Sequence, residues 1–257
     1  MPGPTSLVVT ATERRSPSLV RVRFRTDDLS AFADSVFTDR YVKLAIPSGG
    51  GEVVRTYTAL EPDLEARTLA IDFVVHGDEG VAGPWAAGAA PGDTLTVRGP
   101  GGAYAPDPAA DWHLFAGDES AIPAIGAAIE ALPAGATAYA LLEVSDPDHE
   151  VDLPAPPGVE ITWLHRGAGS HAVGDDAAGL DAPLVGAVRS LPWRDGRVQA
   201  FVHGEAAAVM HGIRPYLLEE RNLPRGDVSI SGYWRRGRTE EGFRAWKSEL
   251  AAAETAG

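Results

Sequence analysis

The side chains best suited to chemistry in the first half of the chain are Arg55, Tyr57 and Thr58, in the run Arg55-Thr56-Tyr57-Thr58. On a strand, residues two apart share a face, so Arg55 and Tyr57 point the same way. An arginine can clamp a pyrophosphate through two parallel N–H groups. A tyrosine can stack on a flat ring, and a threonine hydroxyl can hydrogen-bond a ring nitrogen. Taken alone, the tetrapeptide reads equally as an exposed strand with a charged rim. Downstream, Val74-Val75-His76-Gly77 leads into Gly80-Val81-Ala82-Gly83 and a short Ala-rich segment. Free N–H groups at Val81, Ala82 and Gly83 would suit a phosphate. Pro84 falls in the first helical turn, where proline is tolerated, and Trp85 is expected to pack beneath the helix. The glycines also read as ordinary turns, and His76 as a satisfied structural histidine.

The second half offers a different set. Gly117, Asp118, Glu119 and Ser120 stand where a strand gives way to a helix. Glu143, Val144 and Ser145 end the next strand, and His165 and Arg166 follow the third. A free cation at Arg166 would suit a ribose 2′-phosphate; the alternative is a solvated loop charge. His203, Gly204 and Glu205 follow a fourth strand, with Gly204 permitting close backbone approach and Glu205 capping a helix. Tyr233 and Trp234 border a ligand or pack at a domain interface. Beside them Arg235, Arg236 and Arg238, together with Lys43, form a candidate basic patch for an anionic substrate; each also reads as a surface charge. There is no G-x-G-x-x-G fingerprint, no G-x-S-x-G elbow and no H-E-x-x-H metal spacing.

These residues need a scaffold, and the sequence implies two. The apolar fraction is 44% in 257 residues, enough for two small cores. Up to about residue 100, short runs punctuated by Gly, Pro and Asp read as strands: Ser6–Thr10, Leu19–Arg25, Tyr41–Ala45, Val53–Leu60, Thr68–Val75 and Thr94–Val97. A helical piece at Gly80–Ala90 interrupts them. This pattern predicts a small antiparallel β-barrel over residues 1–104. The loop-like run GPGGAYAPDPAAD marks the boundary. Beyond it, strands Trp112–Ala116, Thr137–Val144, Glu160–Leu164, Arg197–His203 and Asp227–Ser231 alternate with helices Ser120–Leu132, Ala182–Leu191, Glu205–Glu220 and Thr239–Ala253. Residues 105–257 therefore read as an α/β domain with a parallel sheet. Its ligands belong at the carboxyl ends of the strands.

Composition narrows the chemistry. With no cysteine, disulfides, thiolate-bound metal and a cysteine nucleophile are excluded. Any redox reaction needs a borrowed organic cofactor. A formal charge of −14 argues against nucleic acid or an anionic membrane as a partner. No apolar run reaches the roughly 18 residues of a membrane span, and no leader pattern is visible, so a cytoplasmic location is expected.

The motifs together, RTYT, then HG-x-x-G-x-A-x-x-W-A, PGD-x-x-x-x-RGPGG, AGDESAIPAI, LLEVSD, TWLHRG, FVHGE and SGYWRRG, resemble the siderophore-interacting protein family across nearly the whole chain. The resemblance implies an FAD-binding barrel followed by an NAD(P)H-binding α/β domain. It implies reduction of a ferric siderophore with NADPH or NADH as electron donor, Arg166 favouring NADPH. It places Arg55 at the FAD pyrophosphate, Tyr57 beside the isoalloxazine and Thr58 near its reactive nitrogen, making Tyr57 and Thr58 the candidate catalytic pair. Val74, Val75, His76 and Gly77 would line the ribityl and phosphate chain, and Gly80 to Gly83 the phosphate end. Gly117, Asp118, Glu119, Ser120, Glu143, Ser145 and Arg166 would meet the nucleotide, Tyr233 and Trp234 the flavin, and Lys43, Arg235, Arg236 and Arg238 the chelate. A ferredoxin is a further candidate partner. The alternatives are a general flavin or ferredoxin-coupled reductase and a siderophore-binding protein without turnover.

Overall fold

The computed structural model describes residues 3–76, 80–238 and 242. Its first sheet contains β1 (Thr5–Ser16), β2 (Leu19–Arg25), β3 (Tyr41–Ser48), β4 (Gly51–Thr58), β5 (Leu60–Asp63), β6 (Thr68–Val74) and β7 (Thr94–Gly101). The order is β4-β3-β7-β1-β2-β6-β5, antiparallel at each pairing. Alternation decides what lies inside. Along β3, buried Val42, Leu44 and Ile46 alternate with Tyr41, Lys43 and Ala45, which are more open. They join Leu7, Val22, Phe24, Ile71, Phe73 and Leu95 in one apolar core. The sheet curls until β4 meets β6, where the rings of Tyr57 and Phe73 lie 4.5 Å apart. Helix α1 (Ala82–Gly88) covers this core. Trp85 stacks on Phe24 at 6.4 Å and lies 5.6 Å from Phe73, packing beneath α1 as expected.

Two expectations change here. The run Val53–Leu60 is not one strand. β4 ends at Thr58, the Ala59 N–H donates to the Arg40 carbonyl at 2.7 Å, and Leu60 instead pairs with Ala70 of β6. The chain thus crosses from one edge of the curled sheet to the other. Nor does β7 stop before the glycine-rich run. It continues to Gly101, which pairs with Tyr41 of β3; the Tyr41 ring covers that residue, where a Cβ would come within 2.4 Å of Tyr41 Cζ.

The second sheet comprises β8 (Trp112–Asp118), β9 (Ala138–Val144), β10 (Val159–His165), β11 (Val198–Glu205) and β12 (Val228–Trp234). Its order is β10-β9-β8-β11-β12, all parallel. Every residue of the central β8 is buried, as a strand covered on both faces requires. Helix α2 (Ile122–Glu130) packs Ile125 and Ile129 with Phe115, Leu142 and Phe201 on one face. On the other, α3 (Pro183–Ser190) and the stretch from Ala208 cover Leu114, Leu141 and Val202. The helix expected over Glu205–Glu220 winds largely as π-helical turns, Ala208–Ile213 and Tyr216–Glu220. The helix expected over Thr239–Ala253 lies, Gly242 excepted, outside the described residues.

A strandless link joins the sheets and is held from both sides. Asp39 Oδ1 accepts the N–H groups of Ala103 and Tyr104 at 2.9 and 3.0 Å. Gln199 on β11 donates to the Ala105 carbonyl at 3.1 Å and accepts from the Asp107 N–H at 2.8 Å. Among the described residues, no helix is long and apolar enough to cross a membrane.

One close contact at the centre of the parallel sheet is at Gly117 in β8. A Cβ there would lie 2.6 Å from both Ala121 Cβ and the His203 carbonyl oxygen. Gly117→Ala must therefore push α2 or β11 aside, at a cost of about 1–3 kcal/mol. Gly50→Ala, with nothing within 4 Å of its Cβ, is expected to stay within about 0.5 kcal/mol of the parent. Urea unfolding of the two variants measures both.

Candidate functional site

The order of the parallel sheet reverses at β8. The chain runs β8, β9, β10 to one side, then returns to place β11 on the other. Such a reversal opens a crevice at the carboxyl ends of the strands. Asp118, the last residue of β8, sits in it, nearly fully buried. Its Oδ1 accepts the Ser120 N–H at 2.9 Å and the Ser120 hydroxyl at 2.5 Å. Its Oδ2 accepts the Glu205 N–H and the Trp234 indole N–H, both at 2.8 Å. Gly204, at φ +151, clears the way: a Cβ there would stand 2.8 Å from Asp118 Oδ2. One carboxylate thereby ties the ends of β8, β11 and β12.

Beside it lies a second buried group. Both guanidinium ends of Arg166 bond the Glu119 carboxylate, the Nη1–Oε2 distance being 2.9 Å. Arg166 Nη2 also donates to Ser145 Oγ at 3.3 Å, and Nη1 lies 3.6 Å from Glu143 Oε1. Glu143 Oε2 accepts the Leu184 N–H at 2.9 Å, at the start of α3. Burial pushes the Glu143 carboxyl up to about 7, against the opposing pull of the Leu184 N–H and Arg166.

Asp118, Glu143 and Arg166 form one end of a shallow cleft whose walls include Val173, Trp234 and Arg236. The loop after β10 folds over it and is held by Arg236, which bonds Asp175 Oδ1 at 2.5 Å and the Val173 carbonyl at 2.6 Å. The Arg236 N–H donates to Glu205 Oε1 at 3.3 Å. The first sheet reaches the same place. The His76 ring, just beyond β6, lies 4.4 Å from His171, which lies 5.5 Å from Trp234. His76 Nδ1 is buried without a hydrogen-bond partner among the described residues. Tyr233 points to the opposite side of β12, 4.7 Å from His203, whose Nε2 is 3.0 Å from Ser229 Oγ. Burial raises the Tyr233 hydroxyl well above the usual phenol range.

On the barrel, Arg55 pairs with Leu44 and Tyr57 with Val42, so both start from the inner face. Thr58, paired with Tyr41, starts from the other face and is buried. Gly83 brings the start of α1 against β6, since a Cβ there would lie 3.0 Å from the Val74 carbonyl; around Gly80, at φ +76, the space is open. Gly77 lies outside the described residues.

Three expectations need correction. Arg166 is not an open cation at a strand end: its side chain is 3% exposed and bound to carboxylates on two sides. Arg235, Arg236 and Arg238 do not act as one free cluster, because Arg236 holds the loop through Val173 and Asp175. Lys43 pairs with Thr56 and Arg98, which places it on the sheet face away from Arg55 and Tyr57. His171 was not legible as part of the site. It sits in a Gly- and Ser-rich loop with no periodicity to orient it, and only the fold brings it to His76.

The architecture and motifs find matches among known proteins. Residues 110–237 match the model of the siderophore-interacting protein family, and residues 51–104 that of the siderophore-interacting FAD-binding domain. The chain belongs to the siderophore-interacting protein family. It is 50% identical to an uncharacterized protein of Mycobacterium tuberculosis, over 96% of this chain and 95% of that one. It is 34% identical to the ferric vibriobactin reductase of Vibrio cholerae, covering 89% of this chain and 88% of the relative. Among solved structures, a siderophore utilization protein from T. fusca matches with a TM-score of 0.79 and 37% identity, over 92% of this chain and 94% of that one. The fold also resembles a ferredoxin NADP+ reductase of Neisseria gonorrhoeae, with a TM-score of 0.63 at 14% identity over 91% of this chain and all of that one. The barrel-plus-parallel-sheet architecture of a ferredoxin reductase-like protein is thus established for this family member, together with an FAD-binding domain.

The buried Glu143 generates a pH test. Its folded value near 7 lies above the unfolded carboxylate value, so its contribution is fully present below about pH 4 and lost as the pH rises through 7. Glu143→Gln keeps an acceptor for the Leu184 N–H and removes that loss. Relative to the parent, the variant should gain about 1–3 kcal/mol between pH 5 and pH 8. Denaturant melts at the two pH values measure the difference; a constant difference would count against a raised Glu143.

Proposed function

We propose that the protein is a ferric-siderophore reductase that uses FAD and a nicotinamide dinucleotide. The observation that carries this reading is the meeting of the barrel segment at His76 with the strand-end cleft at Trp234, through His171. Two ligands bound on either side of that contact would adjoin, as transfer between them requires. The family and the relative named as a ferric vibriobactin reductase supply the substrate class.

The residues present fit FAD. Open space at Gly80, close approach at Gly83 and an unsatisfied buried nitrogen on His76 line one cradle beside β6. Arg55 would hold a pyrophosphate, Tyr57 would flank a planar ring, and Thr58 would offer a hydroxyl at the end of β4. Bound FAD would supply the conversion of one hydride into two single electrons, each sufficient for one ferric centre. Around it the protein binds and orients. Trp234, fixed by Asp118, would border the ring, while Gly117 to Ser120, Glu143 and Ser145 would shape the nucleotide end. Ferrous iron holds hard oxygen donors less tightly than ferric iron, so reduction loosens the chelate. Arg238, which is exposed, would attract an anionic chelate. In this reading residues 1–104 form the flavin half and residues 105–257 the nucleotide half, working in the cytoplasm.

Anaerobic absorbance spectroscopy tests the reading. The FAD-loaded protein should bleach with a reduced nicotinamide dinucleotide and recover its spectrum on adding a ferric siderophore. A protein that binds the siderophore without this cycle would be a carrier instead. Arg55→Ala should weaken FAD binding about tenfold or more, since a hydrogen bond to a charged group contributes roughly 1.5–3 kcal/mol. Undiminished flavin in the dialysed variant would remove Arg55 from the pyrophosphate site.

A further inference from the structure

The carboxyl ends of β8, β9 and β10 carry negative charge that any anionic ligand must face. No lysine or arginine lies between Arg98 and Arg166, whereas Asp118, Glu119, Glu143, Asp146, Asp148 and Glu150 all do. Arg166 is the first cation after that run, and it is already bound to Glu119 with Glu143 at 3.6 Å. The histidines near these strand ends also face carboxylates. His149 Nδ1 lies 2.9 Å from Asp146, and His165 Nε2 lies 2.8 Å from Glu150. Asp148 is exposed on the loop leaving β9. Arg236 lines the same cleft, but its guanidinium is held on Asp175 and the Val173 carbonyl.

In open α/β sheets the adenosine ribose is read at the end of the second strand. An acidic side chain there accepts the 2′-hydroxyl, and an arginine takes a 2′-phosphate. Here the second strand, β9, runs out through Glu143, Ser145 and Asp146. Turning Arg166 toward a phosphate would leave Glu119 and Glu143 buried without their counter-charge, which is strongly unfavourable. A 2′-phosphate would thus meet like charge with no cation released to receive it.

We propose that this cleft takes the nicotinamide dinucleotide without a 2′-phosphate, NADH, and that Asp146 and Asp148, on the loop leaving β9, repel NADPH. The inference rests on the cleft being the donor site of the proposed reductase. It reverses the preference expected from Arg166 as an open charge.

Binding of the oxidised nucleotides to the FAD-loaded protein tests it without turnover. At low salt, NAD+ should raise the Tm at concentrations where NADP+ has little effect, corresponding to at least about tenfold tighter binding. The gap should narrow as salt is added, because screening weakens exposed charges. It should also narrow in Asp148→Lys, a change on an exposed loop that leaves the buried cluster intact. Equal or tighter binding of NADP+ would overturn the selectivity while leaving the donor site standing. A shift from neither nucleotide would overturn the donor site and this inference with it. A gap indifferent both to salt and to Asp148→Lys would overturn its electrostatic cause. Stopped-flow bleaching should follow the same order, NADH before NADPH.

Discussion

The Asp118 carboxylate is the constraint on which the second half of the molecule depends. A buried charge is tolerated only when donors surround it. Asp118 obtains four, from the backbone and hydroxyl of Ser120, the backbone of Glu205 and the indole of Trp234. Three strands that follow one another only at a distance in sequence are thereby fixed at one point. The requirement reaches back into the sequence: residue 204 must be glycine, because the carboxylate fills the space of its Cβ. It also reaches outward. Trp234 is held as a wall of the cleft, and Glu205, anchored by its own N–H, receives Arg236, which in turn holds the loop over the opening.

Much of this was legible in the sequence because period-two and strand–helix patterns are local. β2, β3, β6, β9 and β10 fall close to their expected positions, and the placement of Trp85 followed from its place in a short helix. What was not legible depends on partners far along the chain. The break between β4 and β5 reflects a crossing from β3 to β6, which no window around Ala59 contains. The Gly-rich run at residues 99–102 reads as a loop by composition, yet Gly101 continues a strand under the Tyr41 ring. Arg166 reads as a free cation because Glu119 and Glu143 are remote in sequence; only the order of β8, β9 and β10 brings all three together. Lys43 shows the finest grain of the problem. One residue of register separates it from the face of Arg55 and Tyr57.

Charge is organised differently in the two halves. On the barrel exterior, Arg21 and Arg23 share Glu61, and Arg21 also forks onto Asp72 at 2.7 and 2.9 Å. The exposed Arg23–Glu61 pair contributes little, whereas Arg21–Asp72 is a buried bidentate pair in which either partner alone would leave an uncompensated charge. At the strand ends the balance tips the other way, with several carboxylates around one buried guanidinium. Carboxylates there are held by N–H donors as much as by cations: Ser120 and Glu205 for Asp118, Leu184 for Glu143. Those donors come from the backbone, so part of the support for the site's carboxylates is built into the fold, and Arg166 supplies the counter-charge of Glu119.

The two sheets are coupled by packing as well as by the link. Leu19 of β2 is fully buried, and with the partly buried Val74 of β6 it belongs to the cluster under α2 rather than to the barrel core. Each strand therefore contributes to both cores. Asp39 from the barrel and Gln199 from β11 grip the connecting segment at its two ends. Arg15 adds a direct bond from β1 to the Asp152 carbonyl at 3.0 Å. With β6 seated on α2 in this way, the chain emerging at His76 has a fixed relation to the sheet that ends in Trp234. The contact of His76 with His171, and of His171 with Trp234, is then a consequence of how the cores interlock. A ligand cradled beside β6 and one lying on the strand ends would meet at that contact because hydrophobic packing distant from both has already set the distance.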